Sequence, residues 1–112
     1  MTNETLGAVK IEHEVFSAIA ATAAGKVSGV TRIIPGLVGG IAELFGRHAP
    51  QHSVKIKVKE GGIAFELAIE VAYNSDIPQV CWEIQKAVKS AVEAMTGMRV
   101  VKVDVEVHGL KA

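Results

Sequence analysis

Scarcity sets the first limits on this chain. It holds one cysteine, Cys81, so no disulfide can close within it, and a reducing compartment is the natural setting. Met1–Gly7 is short and polar and does not read as a signal peptide, which again points to the cytoplasm. No uninterrupted apolar run approaches the roughly 20 residues that a bilayer-spanning helix needs. Neither sign of charge dominates: 12 basic residues face 12 acidic ones, so no global field favours nucleic acid or an anionic membrane. Aromatic side chains are only 4% of the composition, with a single tryptophan, Trp82. At 112 residues the chain fits one domain with one core. The expected layout is a loose tail over 1–7 and a domain over 8–110, with a long apolar loop over 31–52.

What is present is hydrophobic periodicity. Ile77–Met95, with Pro78 near its start and Gly97 past its end, reads as one long amphipathic helix. Ile77, Val80, Cys81, Ile84, Ala87, Val88, Ala91, Val92 and Met95 fall within an arc of about 140°. Ser75 or Asp76 is placed to cap it. The other side carries Glu83, Lys86, Lys89, Ser90, Glu93 and Trp82.

Elsewhere the signals vary in strength. Ala8–Ile11 reads as a short strand, with Val9 and Ile11 on one side. Glu12–Ala24 switches to helical spacing, with an apolar arc of Val15, Phe16, Ile19, Ala20 and Ala23, and its alanines make the helix slim. Gly25 suits the left-handed residue after a helix, while Glu12 is a poor N-cap. Val30–His52 is apolar but broken by Pro35 and several glycines, with room for a helical turn over roughly 40–46. It either folds back over the core or forms a patch for a membrane surface or protein partner. Val54–Lys59 and Ile63–Tyr73 alternate cleanly about Gly61-Gly62, a hairpin signal. A turn flanked by residues 60 and 63 sets Val58 against Phe65, Ile56 against Leu67, Val54 against Ile69 and Lys57 against Glu66. Arg99–His108 alternates again, with Val101, Val103, Val105 and Val107 on one side.

The order β-α-(loop)-β-β-α-β predicts an α+β two-layer sandwich, a mainly antiparallel four-stranded sheet with two helices on one face. A ferredoxin-like split βαβ arrangement fits this pattern best. The open face then carries Lys55, Lys57, Glu66, Glu70, Lys102, Asp104 and Glu106, beside a smooth strip of Ala64, Ala68 and Ala72.

The chemistry does not assemble into a catalytic set. His13, His48, His52 and His108 have no metal-ligand spacing, and Pro50 spoils a shared helical face for His48 and His52. Cys81 falls in the apolar arc, where cysteine is a small hydrophobe. No catalytic residues, cofactor or metal site is expected. RNA binding of the RRM type needs aromatics on the open sheet face, whereas Phe65 points with the core set. Gly36-Leu37-Val38-Gly39 matches GXXG but lacks a basic residue between its glycines. Trp82, near Lys86 and Lys89, is either a local cation–π pair or an interface anchor. The candidate interaction residues are therefore Trp82, Lys86 and Lys89, the strip Ala64, Ala68 and Ala72, and the apolar Leu37, Ile41, Leu44 and Phe45.

These residues resemble the alkaline shock protein family, the general-stress and envelope-stress-response proteins of Gram-positive bacteria. Val9-Lys10-Ile11, Glu14-Val15 and the Ala-rich helix resemble its start. Val27-Ser28-Gly29-Val30 is similar to its short Gly-Val motif, with Lys26 and Ser28 replacing the usual Glu and Pro. Ile77-Pro78, Val80, Gln85, Val88 and Val92 match its long helix, Met95-Thr96-Gly97 the following turn, and Val100–Gly109 its last strand. The resemblance spans about 8–110. Glu12 stands where Ser is usual, and the 31–50 stretch is more apolar than the family pattern. The resemblance implies a non-catalytic cytoplasmic protein that self-associates, binds a membrane-anchored protein at the inner face of the membrane, and supports envelope homeostasis. An alternative it implies is a regulatory module on a metabolic enzyme such as the acetyl-CoA carboxylase complex of fatty-acid synthesis. A small RNA-binding domain is the third reading, and nucleic acid is not the expected partner.

Overall fold

The structure, a computed structural model, describes residues 6–35 and 54–112. Its elements run α1 (His13–Gly25), β1 (Val30–Ile33), β2 (Val54–Lys59), β3 (Gly62–Ala72), α2 (Ile77–Thr96) and β4 (Val100–Lys111). β3 is the centre of the sheet. β4 pairs along one of its edges in parallel, while β2 and β1 share the other edge, both antiparallel. They lie end to end: Val54 pairs with Leu67, the Ile34 N–H donates to the Ala68 carbonyl at 2.9 Å, and Ile33 pairs with Ile69. β1 and β2 are thus two halves of one edge strand, separated in sequence by 35–53.

The core follows from β3. Ile63, Phe65, Leu67, Ile69 and Val71 all point to one face and are buried there. α1 and α2 pack on them in one continuous cluster. α2 contributes Val80, Ile84, Val88 and Val92, a straight i, i+4 line narrower than the predicted arc. Cys81, Ala87 and Ala91 flank that line half-buried, while Ile77 and Met95 are exposed near the helix ends. The Asp76 side chain accepts from the Gln79 N–H at 3.2 Å, and Gly97 ends the helix at φ 75°.

The expected α+β class and ferredoxin-like two-layer plan are kept, with differences in how the strands are supplied. Residues 8–11 are not a strand. Both edges of β3 are already filled, and of this segment only Ile11 packs on the core. The missing strand is β1, from within the stretch expected to be loop. β3 and β4 are hydrogen-bonded neighbours joined by α2, so this βαβ unit is direct and not split.

Register and caps bring further corrections. The hairpin turns at Glu60-Gly61, with Gly61 at φ 92°, and Lys59 pairs with Gly62. Val58 therefore faces Ile63, Ile56 faces Phe65 and Val54 faces Leu67, a shift of two residues from the predicted pairing. A two-residue shift leaves both faces intact, so alternation alone could not exclude it. What selects it is Gly62, which lies against the Arg99 carbonyl where a Cβ has no room. Lys55 sits opposite Glu66, and Lys57 reaches Glu66 diagonally at 3.8 Å.

In β4 a bulge turns Val101 outward and puts Val100 in the core. α1 is rolled by about one position, burying Phe16, Ser17, Ala20, Ala21 and Ala24 and leaving Val15 46% exposed. Gly25 is its last helical residue and not a left-handed cap; the chain leaves through Lys26 and Val27, whose N–H groups donate to the Ala23 and Ala24 carbonyls at 3.3 and 3.2 Å. Glu12 makes no side-chain cap bond, in keeping with its poor capping chemistry.

Candidate interaction surface

α2 positions the most prominent exposed side chain. Val80, Ile84, Val88 and Val92 point into the core, and Trp82 therefore emerges on the outer side, 54% exposed. Lys86, one turn on, brings its Nζ to 5.4 Å from the indole centroid, the local cation–π pair. Lys86 also lies 3.8 Å from Glu83, which accepts from Gln79 Nε2 at 2.8 Å. Lys89 is drawn away from this group. Its ammonium meets Glu93 at 2.9 Å and the Val100 carbonyl at 3.2 Å, fastening α2 to the start of β4.

The alanine strip lies elsewhere. Ala64, Ala68 and Ala72 line the sheet face opposite the helices, so the structure does not join them to Trp82 in one surface. Ala64 is 4% and Ala68 0% exposed, despite facing away from the core. Long neighbours fill the space above them: Lys57 with Glu66, Arg32 with Glu70 at 3.8 Å, and Lys102 with Asp104 at 3.5 Å. Thr31 adds a hydroxyl donated to the Glu70 carboxylate at 2.6 Å. This face is a charged lattice over small residues. Phe65 is fully buried on the other side. Leu37, Ile41, Leu44 and Phe45, the Gly36–Gly39 string, His48 and His52 lie outside the described residues.

Sequence reasoning missed a groove between the two helices. Ala18, Ile19, Thr22, Ala23, Lys26 and Val27 form one wall, and Ala87, Ala91 and Met95 the other, enclosing about 550 Å³. Met95 stands at its rim 72% exposed. The available signal was the alanine content of both helices, which permits close approach on the sheet side and leaves a trough on the outer side. Cys81 is half-buried, and burial raises its thiol pKa, which disfavours the thiolate. His108 pairs with Glu106 at 2.7 Å. Among the described residues no three His, Cys, Asp or Glu side chains converge as a metal site, and no helix is long and apolar enough to cross a membrane.

Known proteins resemble this chain in sequence or in fold. The chain is 27% identical to the uncharacterized protein YqhY of Bacillus subtilis (strain 168), over 95% of its own length and 78% of that protein. It is 28% identical to the uncharacterized protein Spy1535 of Streptococcus pyogenes serotype M6, over 100% of its own length and 85% of that protein. Among solved structures, two MamM CTD variants superpose with TM-scores of 0.59 and 0.57. They share 16% and 18% identity, over 89% and 86% of this chain and 95% and 81% of theirs. At that identity the likeness is one of fold alone. Residues 1–112 match one family pattern from end to end, and the chain belongs to that family, the alkaline shock proteins, of cell envelope-related function.

Proposed function

We propose that this protein works by binding and not by catalysis, as a self-associating cytoplasmic scaffold of the envelope stress response that docks on a membrane-anchored protein partner. The observation that supports the reading is the outer helical layer, where Trp82 stands 54% exposed on one flank of α2 and an apolar trough of about 550 Å³, rimmed by Met95, opens on the other. Exposed aromatic anchors and apolar concavities are each favoured features of binding surfaces. Leu37, Ile41, Leu44 and Phe45 join the proposal on their sequence alone, as an apolar stretch lying in the chain between the two halves of an edge strand. Cell fractionation tests it. Wild-type protein is expected to sediment partly with membranes, and Trp82→Ala, folded by circular dichroism, to shift to the soluble fraction. Identical distribution of the two proteins removes Trp82 as the anchor, and wild type wholly absent from membranes contradicts the docking reading.

A further inference from the structure

β4 forms one edge of the sheet, and among the described residues no strand pairs with its outer side. A bare edge is a template for another chain. The two halves of this edge are treated differently. At its start the Arg99 carbonyl accepts from the Ile63 N–H at 2.8 Å, so the next residue, Val100, directs its backbone away from β3. Side chains of α2 close off those outward groups. The Val100 N–H donates to Glu93 Oε2 at 2.8 Å, and its carbonyl accepts from Lys89 Nζ at 3.2 Å. Gln85 Nε2 donates to the Val103 carbonyl at 3.1 Å. Beyond Val103 this cover ends. Among the described residues no side chain bonds the backbone of Val105, Val107 or Leu110. At the far end the Lys111 carbonyl accepts from the Tyr73 N–H at 2.8 Å, which turns the backbone of Leu110 outward, and its side chain is 55% exposed.

We propose that residues 104–111 of β4 are the surface through which two copies of this chain pair, antiparallel, about a two-fold axis between Val107 and His108. The proposal deepens the self-association reading above and rests on it. A regular strand laid on its copy about a point between two residues would bring opposite faces together. Here the bulge at His108, between the Ile69–Val107 and Glu70–Gly109 pairs, inverts the alternation for the last residues and removes that mismatch. Val105 then meets Leu110, both on the helix-side face and both with outward backbones that can exchange hydrogen bonds. Asp104 meets Lys111 on the open face, and the two-fold repeats each pair. Sliding the copies by two residues toward the start of β4 would set Lys102 against Lys111 and run into the backbone that α2 already covers.

Sedimentation equilibrium on the full chain tests this with a charge swap. Wild type is expected to dimerise with concentration. Asp104→Lys and Lys111→Asp each turn two attractive pairs into two repulsive ones and should weaken the dimer about tenfold. The double variant Asp104→Lys/Lys111→Asp should regain wild-type affinity. Asp104 is half-buried but its ion pair, with Lys102 at 3.5 Å, is solvent-exposed, and circular dichroism checks that each variant keeps the fold. Self-association that is unchanged in both single variants overturns this edge while leaving the self-association reading standing. A wild type that stays monomeric overturns that reading and the edge with it.

Discussion

Gly62 and Gly25 are both glycines beside a secondary-structure boundary, yet their surroundings differ. Gly62 has φ 159°, and a Cβ there would press on the Arg99 carbonyl and the Val101 side chain. Gly62→Ala is expected to cost about 2–3 kcal/mol, read as a lower urea midpoint. Gly25 is helical with open space around it, so Gly25→Ala should raise stability by about 0.4–1 kcal/mol. A loss at Gly25 would revive the left-handed cap that the sequence suggests. Glu93 gives a pH signature. The Val100 N–H, and then the Lys89 ammonium, hydrogen-bond its carboxylate and hold its pKa below the ordinary value. Because the folded pKa is the lower one, its stabilisation is present above the unfolded pKa and fades as pH falls through the folded one. Glu93→Gln should therefore lose less stability than wild type between neutral and acid pH, measured as urea midpoints across a pH series. An unchanged acid slope would show that Glu93 is not the group responsible.

At the scale of elements, strong periodicity was readable and its exceptions were not. The long helix, its Asp76 and Gly97 ends and the alternating hairpin strands follow directly from the residues. Among the hidden features were β1 and the bulges. β1 is four residues in a stretch crowded with apolar side chains and glycine, where no period stands out. The bulges at Val101 and His108 depend on how β4 meets β3, which local pattern does not encode. The candidate surface divides the same way. Trp82 with Lys86 was legible from i, i+4 spacing, whereas the helix–helix trough needs two elements brought together. The burial of Ala64 and Ala68 needs side chains from neighbouring strands. The narrow buried line of α2 has a quantitative consequence. Ile84→Ala should cost about 2–5 kcal/mol, against a change within about 0.5 kcal/mol for Met95→Ala on the rim. Equal losses in urea melts would show that the helix is seated differently.

For the molecule as a whole, the sheet is one two-layer unit whose edge strand is cut in two by 35–53. Because Ile34 and Val54 occupy consecutive rungs on β3, replacing 35–53 by a one- or two-residue Gly-Ser link should preserve helical circular dichroism and a single cooperative melt. Loss of cooperativity would mean that the stretch is part of the folding unit. The function proposed for this fold lies in its surface, which would join copies of the chain to a membrane-anchored protein. Cross-linking in native cells followed by affinity capture and mass spectrometry addresses it most directly. The expected result is recovery of further copies of this chain, reduced by Asp104→Lys, together with an integral membrane protein, reduced by Trp82→Ala. Recovery of one soluble metabolic enzyme in stoichiometric amount, with no second copy of the chain, would contradict it.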